Sequence, residues 1–221
     1  MFSDTHRREK YPSVDAAAIS NFDFQCSISC NSAILDGAKF LKSKHISSAY
    51  LDSEILMAKA IRKDRKYILL NSDKKITHQD FLNFSKFIKK RSLRKPIAYI
   101  INKKFFWKSE FFVTKDTLIP RPDTEILIEC ILNYSKNKNK QNILDIGVGS
   151  GCILLSILKE KKNFIGSGID ISKDALNICK INAVKLNVIN RLKLYKTNVD
   201  KYNIGKYDLI VSNPPYINKN K

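Results

Sequence analysis

Hydrophobic and polar positions along the chain change period twice. From Ser32 the period is helical: Ile34, Leu35, Ala38 and Leu41 share one face, and Leu51, Ile55, Leu56 and Met57 repeat the three-to-four spacing. Thr77 is a predicted N-cap, with Asp80 three residues on, ahead of Phe81, Phe84, Phe87 and Ile88. These stripes predict the core of a small helical bundle over residues 31–95 rather than a cofactor site. Its last helix runs out in Lys89-Lys90-Arg91-Ser92-Leu93-Arg94-Lys95 before Pro96. That run reads as a solvated basic helix end, with a partner-docking patch as the other reading. Residues 1–30 show no periodicity and form an extension of unknown structure.

The period then shortens. Tyr99-Ile100-Ile101, Phe105-Phe106-Trp107 and Phe111-Phe112-Val113 are short aromatic runs with polar breaks, and they predict a hairpin within a linker over 96–122. Two prolines in Ile119-Pro120-Arg121-Pro122-Asp123-Thr124-Glu125 interrupt the chain before a helix with Leu127, Ile128, Ile131 and Leu132 on its apolar face. After the polar loop 136–140, strand and helix alternate. Asn142–Ile146, Phe164–Ile169, Leu192–Tyr195 and Tyr207–Ser212 read as strands, and Cys152–Lys159 and Asp174–Leu186 as helices. Such alternation predicts a mostly parallel sheet with helices on both faces over 123–221.

Composition changes this picture little. The chain has 221 residues, 43% hydrophobic, enough for one good core or two small ones. No run approaches the ~18–20 apolar residues that cross a bilayer. The first residues lack the apolar stretch of a secretory signal. Five cysteines at scattered positions, with no second pair to match Cys26 and Cys30, read as reduced thiols of a cytoplasmic protein rather than a zinc site. The net charge of +19 suits nucleic acid, ribosomes or other acidic partners. It equally suits a compositional bias toward Lys, Asn and Ile, so nucleic-acid binding is not inferred from it.

Candidate chemistry is concentrated in the second half. Leu209–Val211 reads as a buried strand that Pro214 and Pro215 stop, because neither can donate to a ladder. Pro214 holds Asn213 extended. The corner offers an amide side chain, carbonyls and the aromatic face of Tyr216. These suit a planar –NH2 group, whose two hydrogens the Asn213 oxygen and a proline carbonyl can accept. Such a nitrogen is a poor nucleophile, so positioning and electrostatics must supply most of the acceleration.

Upstream, Asp145-Ile146-Gly147-Val148-Gly149-Ser150-Gly151 lies between a strand and its helix. Glycines there let the backbone approach a ligand closely. The dinucleotide fingerprint needs glycine at its sixth position, where Cys152 stands; the third glycine here is Gly151. The form resembles the S-adenosylmethionine loop of class I methyltransferases. Asp170, ending the second strand, is placed to accept ribose hydroxyls. The three histidines all precede residue 80, so the α/β domain holds none for acid–base or nucleophilic work. No cysteine follows the proline pair, as cytosine-C5 methylation would need, whereas transfer to nitrogen needs no nucleophilic residue.

Asn213-Pro214-Pro215-Tyr216 resembles the signature of amino-group methyltransferases acting on adenine N6, guanine N2 or a protein glutamine. Phe111–Glu125, Leu51-Asp52-Ser53-Glu54-Ile55-Leu56 and Pro96-Ile97-Ala98-Tyr99-Ile100 resemble release-factor glutamine N5-methyltransferases, the HemK family, from about residue 31 onward. The resemblance implies a class I (Rossmann-like) S-adenosylmethionine-dependent methyltransferase domain, preceded by a small helical bundle that docks the substrate and a β-hairpin linker. It implies class-1 peptide chain release factors as partners, methylated on the glutamine of their Gly-Gly-Gln motif, with no membrane and no required nucleic acid. It puts Gly147, Val148, Gly149, Ser150, Gly151, Asp170 and Val199 on the cofactor, touched also by Asn213. Asn213, Pro214, Pro215 and Tyr216 take the glutamine amide, with Asn213, Pro214 and Tyr216 in the catalytic role. The alternatives are a nucleic-acid amino-methyltransferase and an inactive truncated remnant.

The sequence departs from the family at several points. Asn102 stands where the family usually has Gly, and Lys108-Ser109-Glu110 where a Gly-Leu-Pro-like turn is usual. Asn198 replaces an acid and Val199 an aromatic residue. The chain stops five residues after Tyr216, while family members continue with further strands. It therefore reads as truncated, with Leu209–Val211 left as an uncovered sheet edge.

Overall fold

The computed structural model describes residues 28–214. The extension read over 1–30 falls outside this range except for residues 28–30, and so do Pro215 and Tyr216. The chain divides into two compact units at Arg94/Lys95.

In the first unit, α1 (Cys30–Ser43), α2 (Ala49–Ala60), α3 (Arg65–Leu70) and α4 (His78–Ser92) pack as a bundle. Residues 28–30 belong to it: Ser29 caps α1 by accepting from the Ser32 N–H, and the Cys30 N–H donates to the Lys74 carbonyl. Thr77 caps α4 as its sequence predicts. Its hydroxyl accepts from the Asp80 N–H at 3.1 Å and donates to the Asp80 carboxylate at 2.7 Å. Ile34, Leu41, Leu56, Met57, Phe81, Phe84 and Ile88 are buried.

Leu35 and Leu51 are not part of this core; each is 42% exposed. On α1 the inward stripe is narrower and carried by small residues. A Cβ on Gly37 would lie 2.7 Å from both the Phe84 ring and the Ser53 hydroxyl, so α1 approaches its neighbours closely there. On α2 three of the inward positions are polar. Ser53 donates to the Ile34 carbonyl at 2.8 Å. Asp52 accepts from Arg91 Nε at 2.6 Å and from the Ser48 hydroxyl at 2.8 Å. Glu54 accepts from Arg65 Nε and Nη2 at 2.9 and 2.8 Å. The Asp52-Ser53-Glu54 run thus ties α2 to α4, α1 and α3 in turn. Arg91, read as part of a solvated basic end, is instead a structural partner of a buried carboxylate. Arg91→Ala leaves Asp52 buried with only a hydroxyl, and should cost about 3 kcal/mol in urea unfolding. A change within ~0.5 kcal/mol would show the pair to be dispensable.

In the second unit, the first aromatic run is helical, which corrects the hairpin boundaries. Ile97–Ile101 forms α5, and only the next two runs pair, as β1 (Lys103–Phe106) and β2 (Ser109–Phe112). Pro96 stands at the start of α5, and Asn102 ends it in the left-handed region at φ 58°. After glycine, asparagine tolerates that conformation better than most side chains. Trp107, at the hairpin turn, also has positive φ (51°). Its N–H donates to Glu125 Oε1 at 2.7 Å, fixing the hairpin to the first residue of α6 (Glu125–Tyr134).

Among the described residues the sheet has four parallel strands, β3 (Asn142–Ile146), β4 (Ile165–Asp170), β5 (Leu192–Lys196) and β6 (Leu209–Ser212), in the order β5-β4-β3-β6. Helices α7 (Cys152–Glu160) and α8 (Lys173–Lys185) provide the crossovers from β3 to β4 and from β4 to β5. The core joins Phe106, Phe111 and Val113 of the hairpin region to Ile143, Leu154, Leu155 and Phe164. Asn182 of α8 is fully buried. Its amide accepts from the Phe112 N–H at 2.7 Å and donates to the carbonyls of Phe112 at 3.0 Å and Ser150 at 2.9 Å. Among the described residues β6 ends the sheet, with Ile210 61% exposed. No helix among them is long and apolar enough to cross a membrane.

Candidate active site

Parallel α/β sheets bind ligands beyond the carboxyl ends of their strands, where the strand order reverses. Here β3 lies between β4 and β6, and Ile146 is level with Ile169 and Ser212. The loops leaving these ends enclose a cavity of about 530 Å³, within the ~300–1,000 Å³ typical of small-ligand sites.

One wall is the turn after β3. Gly147 and Gly149 line the cavity at φ 75° and 54°, and no atom lies within 4 Å of where a Gly147 Cβ would stand. Gly151 (φ 80°) works differently: a Cβ there would meet Cys179 Sγ and Leu155 at 2.7 Å, so it is a packing glycine. Val148 and Ser150 are buried. Of the five loop residues expected at a cofactor, the structure turns Gly147 and Gly149 to the cavity and sets the other three behind it.

Asp170 lines the cavity at the end of β4. Its Oδ2 accepts from the Gly149 N–H at 3.0 Å and its Oδ1 from the Ser172 N–H at 2.9 Å. Each oxygen keeps a lone pair for a further donor. The carboxylate therefore holds the glycine turn in place while still facing the cavity. Asp170→Ala should weaken S-adenosylmethionine binding by about 1–3 kcal/mol, roughly 5- to 150-fold, in a calorimetric titration. Unchanged affinity would remove the ribose assignment.

Asp145, one residue before Ile146, is buried. Burial pushes its carboxyl up to about 7; the Leu154 N–H opposes this and the charge of Asp170 adds to it. The native protein thus keeps a proton that the unfolded chain sheds near pH 4. That contribution to stability is full below about pH 4 and is lost as pH rises through about 7. Asp145→Asn should therefore gain stability relative to wild type between pH 4 and 8, by a few kcal/mol at most. A difference between the two melting curves that does not vary with pH would contradict this. The same burial, with the charge of Asp145 adding to it, pushes the Cys152 thiol up to about 12, leaving no thiolate there at neutral pH.

The opposite wall comes from the linker. Tyr99, Lys115, Asp116, Thr117 and Leu118 line the cavity, and the Tyr99 hydroxyl donates to the Thr117 carbonyl at 2.7 Å. Thr197, Asn198 and Val199 follow β5, and Asn213 closes the cavity after β6. The Asn213 Nδ2 donates to Thr124 Oγ1 at 3.1 Å. Gly147, Gly149, Asp170, Val199 and Asn213 thus converge on one space. Pro214 is exposed beside it.

Comparisons with known proteins place the chain in a family. Residues 32–101 match the PrmC N-terminal domain, and residues 122–221 match the methyltransferase small domain. A release factor glutamine methyltransferase of Clostridium acetobutylicum is 36% identical over 192 residues, covering 86% of this chain and 67% of that protein. The chain belongs to the release factor glutamine methyltransferase family. A member from Buchnera aphidicola (subspecies Schizaphis graminum) is 41% identical over 80% of this chain. A bifunctional methyltransferase of Rickettsia bellii is 38% identical over 84% of it. The chain spans 63% of the length of the Buchnera relative and 38% of the Rickettsia one.

Family membership accounts for the motifs but not for every residue that builds the site. The residue types of Asn182 and Thr124 alone announce no role in the site. Asn182 does carry a signal: it shares the apolar face of α8 with Ile178, Cys179 and Ala183, all buried. A polar residue on such a stripe needs partners, here the linker strand and the glycine turn.

Proposed function

We propose that this protein transfers a methyl group from S-adenosylmethionine to the side-chain amide nitrogen of the glutamine in the Gly-Gly-Gln motif of class-1 release factors. The observation that carries the reading is the shared cavity. It has a glycine turn and a free carboxylate edge at one end and the Asn213 carboxamide at the other. The residues present fit the cofactor: two glycines leave backbone room, and Asp170 retains acceptor capacity for hydroxyls. When bound, S-adenosylmethionine supplies an electrophilic methyl on a positively charged sulfur. Asn213 accepts one hydrogen of the incoming amide and thereby orients the nitrogen lone pair. Held by Gly147, Gly149 and Asp170, the cofactor would supply a methyl group whose S–C bond would break as the N–C bond forms, the displaced amide proton going to water. Among the described residues, neither a cysteine nor a histidine lines the cavity.

The test is incorporation of label from S-adenosylmethionine with release factor, ribosomal RNA and DNA offered separately. Label in release factor supports the proposal. Label confined to nucleic acid assigns the same –NH2 receptor to a base and overturns it.

A further inference from the structure

Asparagine can present either its carbonyl or its –NH2 to a ligand, and only the carbonyl can accept from an incoming amide nitrogen. Which end faces the cavity depends on what holds the other. We propose that Thr124 is the positioning residue that fixes the carboxamide of Asn213, and so makes this corner a receptor for –NH2 groups. This rests on the function proposed above and adds to it a specificity determinant.

The observation is the 3.1 Å hydrogen bond from Asn213 Nδ2 to Thr124 Oγ1, between residues 89 positions apart. Both side chains are half-buried. With its –NH2 engaged by the threonine oxygen, Asn213 turns Oδ1 to the remaining side. Thr124 is itself held. It ends the 3-10 turn Pro122–Thr124, where its N–H donates to the Arg121 carbonyl at 3.1 Å. The next residue, Glu125, anchors the hairpin through the Trp107 N–H. Pro120 and Pro122 stiffen the approach, and Pro120 is buried. The linker therefore places one oxygen against the amide at the end of β6. Valine at 124 would keep the shape and lose the acceptor; serine would keep the acceptor.

The experiment compares Thr124→Val, Thr124→Ala and Thr124→Ser with wild type, using two readouts. The first is the side-chain amide of Asn213 in ¹⁵N-labelled protein, assigned with Asn213→Ala, followed by exchange with solvent. The second is methyl transfer to release factor, with cofactor affinity measured separately. Val and Ala should speed exchange of the Asn213 –NH2 and slow transfer about tenfold or more, with cofactor affinity within about twofold. Ser should stay within about threefold of wild type in both. Wild-type exchange or turnover in a folded Val or Ala variant would overturn the inference. If exchange depends on Thr124 while wild type transfers no methyl to release factor, the positioning contact stands and the proposed substrate falls.

Discussion

Asn213→Ala is expected to lower methyl transfer by about 10²–10³-fold, with S-adenosylmethionine affinity within a few-fold of wild type. The size follows from what the side chain does. An amide nitrogen reacts only when its lone pair is aimed, and the role proposed for Asn213, which lines the cavity after β6, is to aim it. Deleting one preorganised polar group of this kind costs about 2.7–4 kcal/mol in the transition state. The loss should appear in single-turnover rates, because the interaction matters most after both substrates are bound. A variant that turns over like wild type would make the corner merely a strand terminus.

The largest effect on stability is expected at Asn182. Replacing it with leucine conserves volume and strands the Phe112 N–H and the carbonyls of Phe112 and Ser150 inside the second unit. Buried polar groups left unpaired cost about 1–3 kcal/mol each. The sum is a large share of the ~5–15 kcal/mol that holds a domain folded. Urea unfolding should show a loss of about 3 kcal/mol or more. Because Ser150 lies in the glycine turn, cofactor affinity should fall as well. Stability within ~0.5 kcal/mol of wild type would show that water replaces the side chain, contrary to its complete burial.

The α/β half of the fold was legible because its signals are local and repeated. The four strand positions and both crossover helices agree with the structure to within a residue or two. The linker was harder. Tyr99-Ile100-Ile101 has a composition that suits a strand, and three residues are too few to show a period. Pro96 and the left-handed Asn102 decide that it is a turn of helix. The helical unit misled in another way. Leu35 and Leu51 sit next to inward positions and share their hydropathy, while Asp52, Ser53 and Glu54 fill inward places that hydropathy gives to apolar residues. Only their partners on three other helices make that burial tolerable, and no pattern in α2 itself announces them.

That Gly147, Gly149 and Asp170 face one cavity was legible from the glycine spacing and the acid ending β4. That Asp170 also clamps Gly149 was not, since it requires the two loops to be seen side by side. Thr124 escaped for the same reason: its partner lies 89 residues away. Contacts of this range come from topology, and a motif shows one side of them.

The central claim is that the nitrogen of a protein glutamine is the methyl acceptor. Tandem mass spectrometry of release factor incubated with the protein and S-adenosylmethionine tests it most directly. One added methyl group, located on the glutamine side chain of the Gly-Gly-Gln peptide and absent with Asn213→Ala, is the predicted result. Methylation of that peptide at any other residue, or of nucleic acid alone, would contradict it.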